Sequence, residues 1–131
     1  MQGITRGTGA ALVAVAMAAG ALLGVIGLRY LLVPESAART FGLPGHPAGH
    51  ELYYVIGLRN LWLAALAMAL AGLRQWHGLA AWFGIGSLVC FSDALLAATA
   101  TGRLPQVAFH VVCGLVCPVL ALACWRQGAA R

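Results

Sequence analysis

Four apolar stretches separated by short polar breaks dominate this sequence and decide which solvent it can fold in. They cover about 10–33, 52–73, 79–100 and 105–125. A helix needs about 20 such residues to cross a hydrocarbon core about 30 Å thick. No alternation of apolar and polar residues at the period of a membrane strand is present. In lipid every backbone polar group must be satisfied within its own segment, so the stretches are predicted to be helices. Composition removes the soluble alternative. Of 131 residues, 62% are hydrophobic and 8% charged, far below the ~25% of a soluble domain. A chain this short keeps much of its surface in contact with solvent. The predicted fold is therefore all-α, a single integral membrane domain forming an antiparallel four-helix bundle. The first stretch runs well beyond the ~7–15 residues of a signal-peptide core and is expected to stay as a span.

The longest break, Pro34–Glu51, carries its own local signals. Pro34 costs nothing at a first helical position, and Gly42 can close a helix. Ala37, Ala38 and Phe41 then share one face. A short interfacial helix over Pro34–Phe41 is predicted, with Glu35 and Arg39 turned outward and Gly42–Gly49 leading into the second span. Trp76 and Trp125 fit an interfacial aromatic belt.

The net charge is +5, with eight Arg and no Lys. These Arg are dispersed rather than clustered, so no nucleic-acid partner is expected. With four crossings both termini share a side. That side carries Arg6, Arg74, Arg126 and Arg131, against Arg39 and Arg103 opposite. The positive-inside rule then predicts a multi-pass protein of the cell membrane with both termini cytoplasmic. Cys90, Cys113, Cys117 and Cys124 lie in apolar runs without a zinc-like spacing and read as small hydrophobes.

Ionisable residues inside hydrocarbon are costly and usually face the protein interior. There is one per span: Arg29, Arg59, Asp93 and His110. At 1.5 Å per helical residue, their depths are about 6, 10, 10 and 8 Å. Because the helices alternate direction, all four depths are measured from the same membrane face. Small residues mark the sides where helices approach closely. Gly86, Cys90, Asp93 and Ala97 share one face, as do His110, Cys113, Gly114, Cys117 and Ala121. In the second span Gly57, Asn60, Ala64, Ala67 and Ala71 form the small face, with Arg59 beside it. In the first span the small face is Gly20, Gly24 and Gly27, and Arg29 lies nearly opposite Gly20, placed to snorkel to the headgroups. The pentapeptide Val25–Arg29 recurs as Val55–Arg59, too short to mark a duplicated domain.

Two Arg and a titratable His around one buried acid leave positive charge uncompensated. Glu35, Glu51 or an anionic ligand group would supply the balance. Asp93 and His110 are the candidate acid/base pair. Arg59, Asn60, Arg29 and Glu35 are the candidate substrate-binding set. The bland alternative makes Asp93 and Arg59 a structural ion pair, His110 a satisfied core histidine and Arg29 an interface anchor.

The ordered motifs Gly27-x-Arg29, Pro34, Ala37/Ala38, Phe41-Gly42, Gly57-x-Arg59-Asn60, Asp93 and His110 are similar to those of the small four-helix membrane family called domain of unknown function 4267. The resemblance covers about 20–125. It implies the four-helix fold and the importance of Arg59, Asp93 and His110, but no reaction. The family's usual residue after the second Arg is Asp; Asn60 stands there in this chain, which weakens a catalytic role for that position.

Three function classes remain. An acid/base enzyme would act on a lipophilic or anionic small molecule by isomerisation, cyclisation or hydration. No cofactor is expected for it, because nucleotide loops, nucleophile motifs and metal spacings are missing. A proton-coupled carrier would need to work as a homo-oligomer, since four helices make a poor translocation path. A non-catalytic subunit or lipid-binding protein would use the cluster only as scaffold.

Overall fold

A computed structural model of the chain describes residues 2–45 and 49–130. The helices are α1 (Gln2–Leu32), α2 (Pro34–Phe41), α3 (Glu51–Gly72), α4 (Trp76–Ala100) and α5 (Leu104–Ala129). Four of them are long and apolar enough to span a membrane, with mean hydropathies of 2.4, 1.6, 1.7 and 2.4. The chain is an integral membrane bundle. At the α2 end, α1 stops at Leu32, α3 begins at Glu51, α4 stops at Ala100 and α5 begins at Leu104. At the other end α1, α4 and α5 extend beyond the apolar runs. Hydropathy marks where lipid ends, whereas a helix continues until a backbone signal stops it. Residues 46–48 of the predicted Gly42–Gly49 linker, Arg131 and the side chain of Arg6 lie outside the described residues.

The helices associate as two intimate pairs, α1 with α3 and α4 with α5, which touch each other much less. The first pair is built on backbone approach. A Cβ at Gly27 would sit 2.8 Å from the Gly57 carbonyl oxygen, and one at Gly57 would sit 2.9 Å from that of Gly27. Gly27 also meets Leu61, and Gly57 meets Leu31. The two copies of the repeated pentapeptide therefore cross at their glycines about a local two-fold axis. Leu31 and Leu61 occupy equivalent places just past the repeat. Gly20 against Ala64 and Met68 extends the same seam, so the small faces of the first two spans pack on each other.

The second pair solves a local problem. Pro118 lies inside α5 and has no N–H to give the carbonyl of Gly114. Ser87 of α4 donates its hydroxyl to that carbonyl at 2.8 Å, in a buried position. The α4 face turned inward is Leu79, Phe83, Ser87, Ala94 and Ala97. Gly86 has nothing within 4 Å of where its Cβ would be, so it lies off the close seam expected for it. Trp76 is likewise not a belt residue. It is 3% exposed and packs with Leu12, Ala71, Leu79 and Cys124 in a core that joins α1, α3, α4 and α5. Trp125 is exposed and meets the His77 ring at 88°, 4.9 Å between centroids.

At the opposite end a smaller core forms from Tyr30, Ala37, Ala38 and Tyr53. Here α2 lies across the bundle. Pro34 opens it, and Gly42 closes it in the left-handed region at φ 107°. The N–H groups of Gly42 and Leu43 both bond the Ala38 carbonyl. Only glycine fits, because a Cβ there would also press on Ala97 at 2.9 Å.

Candidate functional site

The last turn of α2 ties the two helix pairs together and shapes the site. The Thr101 hydroxyl donates to the Gly42 carbonyl at 2.8 Å. His110 Nε2 lies 3.1 Å from the Phe41 carbonyl oxygen, and the two rings meet tilted by 54° with 4.4 Å between centroids. A carbonyl oxygen only accepts, so Nε2 carries the proton. The two pairs diverge beside this tie, and α1, α2 and α5 enclose a partly open cavity of about 360 Å³. That lies within the range of small-molecule sites.

Polar groups gather at one end of the cavity: Arg29, Tyr30, Thr40, Gln106 and His110. His110 is 7% exposed. Arg29 Nη2 donates to Thr40 Oγ1 at 2.9 Å and to Ser36 Oγ at 3.3 Å. Arg29 is thus bent back onto α2 and lines the cavity instead of reaching freely for headgroups. Among the described residues no carboxylate lies within 4.0 Å of it.

Asp93 lies on α4, half-buried, close enough to interact electrostatically with His110, Arg59 and Tyr30. Among the described residues no ion pair within 4.0 Å joins Arg59 to Asp93. Arg59 is exposed, because it follows Gly57 by two residues and so points about 200° away from the α1/α3 seam. Antiparallel crossing at Gly27 and Gly57 also separates the two repeat arginines along the axis by about 6 Å. Arg29 goes to the α2 cavity and Arg59 toward the Asp93 side. Asn60 is half-buried on the α3 face that includes Gly57 and Ala64. Glu35 does not line the cavity. Its carboxylate lies 3.8 Å from Arg39 and 3.6 Å from His50.

Two polar residues of this end escaped the sequence reading. Tyr30 is 1% exposed, and its hydroxyl has no hydrogen-bond partner among the described residues. The same holds for Gln106 Oε1. Both line the cavity. A usable signal existed: an amide in the first turn of the last span, and a phenol adjacent to Arg29. Attention to charged groups alone passes over them.

No curated protein and no solved structure matches the chain. The family described as Domain of unknown function (DUF4267) matches residues 20–126, most of the chain, and the protein belongs to it.

Proposed function

We propose that this protein binds a lipophilic molecule within the membrane and exchanges a proton with it at His110. One observation carries the reading: His110 is nearly inaccessible to solvent yet forms part of the cavity wall. With Nε2–H committed to the Phe41 carbonyl, the neutral ring presents Nδ1 as its basic nitrogen. Asp93 is the charge partner that stabilises the imidazolium once His110 has taken a proton. Arg59 balances Asp93 in turn. The reaction class that fits is isomerisation or cyclisation, in which the proton leaves one carbon of the substrate and returns at another without net redox change. The Arg distribution supports both termini facing the cytoplasm, which puts the cavity in the outer half of the bilayer.

The test compares lipid extracts from cells expressing the natural chain, His110→Phe and Asp93→Asn, by chromatography and mass spectrometry. A species made only with the natural chain should vanish with both variants while both remain inserted. Identical lipid profiles for all three would remove the enzyme reading. A second reading, binding without turnover, draws on Arg29, which lines the cavity with Nη2 held by Ser36 and Thr40 and no carboxylate of the described residues within 4.0 Å. It would be preferred if the profiles were identical while ligand binding was lost in His110→Phe.

A further inference from the structure

We infer that the cavity between α1, α2 and α5 takes a single-chain amphiphile whose head carries a carboxylate beside a hydroxyl group, inserted from the surrounding leaflet with its tail toward the bilayer centre. This deepens the proposed function and rests on the same cavity.

The cavity is graded along the membrane normal. Arg29 and Tyr30 stand near the end of α1, under α2. Leu22 lies seven residues back, about 10 Å deeper. On α5 the polar contributors Gln106 and His110 fall within the first two turns. The deeper wall is apolar, with Leu22, Val25 and Ile26 on α1, and Phe109 adds an apolar ring on α5 beside His110. Leu22, Val25 and Phe109 are 50%, 56% and 48% exposed, so the rim is apolar and meets lipid tails. The roof is α2, with Ala37, Thr40 and Phe41. A polar end beneath a surface helix and an apolar side opening match the orientation that an amphiphile already has in the leaflet. Such a ligand could slide in laterally without turning over.

The head chemistry follows from what the end of the cavity leaves unsatisfied. Arg29 uses Nη2 for Ser36 and Thr40, and no carboxylate of the described residues compensates its charge. Its remaining N–H groups call for an anion, and carboxylate oxygens match the guanidinium fork. The Tyr30 hydroxyl has no hydrogen-bond partner among the described residues and is closed off from the unliganded cavity, so a carboxylate oxygen supplies its acceptor only where the entering head displaces the packing around it. Gln106 Oε1, also without a partner among the described residues and closed off from the unliganded cavity, can only accept, and a hydroxyl on the head supplies the donor once it enters there. A carboxylate alone leaves Gln106 unserved, and an alcohol alone leaves Arg29 unserved. A hydroxyl near the carboxylate serves both. The volume suits one chain of about ten carbons better than two full chains.

The experiment uses the full chain in detergent micelles and measures affinity calorimetrically for beta-hydroxydecanoate, decanoate, methyl beta-hydroxydecanoate and a two-chain anionic phospholipid. The hydroxy acid should bind most tightly. Loss of either the hydroxyl or the free carboxylate should weaken binding by about tenfold, the value of one well-made hydrogen bond or more. Tyr30→Phe removes a hydroxyl that bonds none of the described residues, so it should keep its melting temperature and lose about tenfold in affinity. Gln106→Leu should bind decanoate and its hydroxy analogue equally, and Arg29→Gln should no longer distinguish acid from ester. Equal affinity for acid and ester in the natural chain, no effect of Tyr30→Phe, or preference for the two-chain phospholipid would each overturn the assignment. Binding with the stated preferences but unchanged cellular lipids would leave the ligand class standing and remove only the enzyme reading. A His110-dependent lipid product without any binding of the hydroxy acid would do the reverse.

Discussion

Glycine in a membrane helix can be a contact or merely a gap, and this chain holds both kinds. Gly27 lies where any side chain would strike the backbone of α3, whereas Gly86 faces open space. Gly27→Ala must therefore push α1 and α3 apart, at a cost of about 1–3 kcal/mol for overpacking. Gly86→Ala meets nothing and should be neutral or gain up to about 1 kcal/mol from better helix propensity. Denaturation in mixed micelles measures both. If the two variants were equally stable, the close approach of Gly27 to Gly57 would not be what holds this pair. The same local reasoning explains the two repeat arginines. Each follows its glycine by two residues, so each points away from the seam, and the antiparallel crossing sends them to different surroundings.

At the scale of the element, α5 contains a defect that α4 repairs. Pro118 deprives the Gly114 carbonyl of its helical donor, and Ser87 replaces that donor across the interface. Ser87→Ala should cost about 1–3 kcal/mol, the penalty for a buried polar group left unpaired. Pro118→Ala restores an N–H within α5, so the double variant should recover most of that loss. A double-mutant cycle in detergent reads the coupling directly, and additive losses would refute the repair. The short helix α2 is held at its last turn by Thr101 and His110. Thr101→Val should speed hydrogen exchange at the Gly42 and Leu43 amides while leaving the tight α3–α4 turn unchanged. Equal protection at both places would mean that Thr101 does not anchor α2.

Across the whole molecule, the two helix pairs share a core at one end and are tied at the other through the last turn of α2, which roofs a partly open cavity. Placing the α2 end on the outer side makes a topological prediction. In a background with the four native cysteines replaced, His50→Cys should react with a membrane-impermeant thiol reagent added to intact cells. Gln75→Cys, in the exposed turn between α3 and α4, should react only after lysis. The opposite pattern would invert the orientation and put the cavity in the inner leaflet.

Much of the architecture is legible in the sequence alone. The number and length of the spans follow from apolar runs, and the limits of α2 from Pro34 and Gly42, because both signals are local in the chain. The small faces of the first two spans were legible for the same reason, since helical periodicity alone aligns Gly20, Gly24 and Gly27. Direction around the helix axis was less so, since it depends on which neighbour a face meets. Thus Gly86 missed the seam and Trp76 went into the core. Arg29 found Ser36 and Thr40 eleven residues or fewer away, while Glu35 turned to Arg39 and His50. The unpaired state of Tyr30 and Gln106 was beyond sequence altogether. A hydroxyl or an amide takes whatever partner packing brings near, and only the tertiary arrangement of α1, α2 and α5 leaves the Tyr30 hydroxyl and Gln106 Oε1 without one among the described residues.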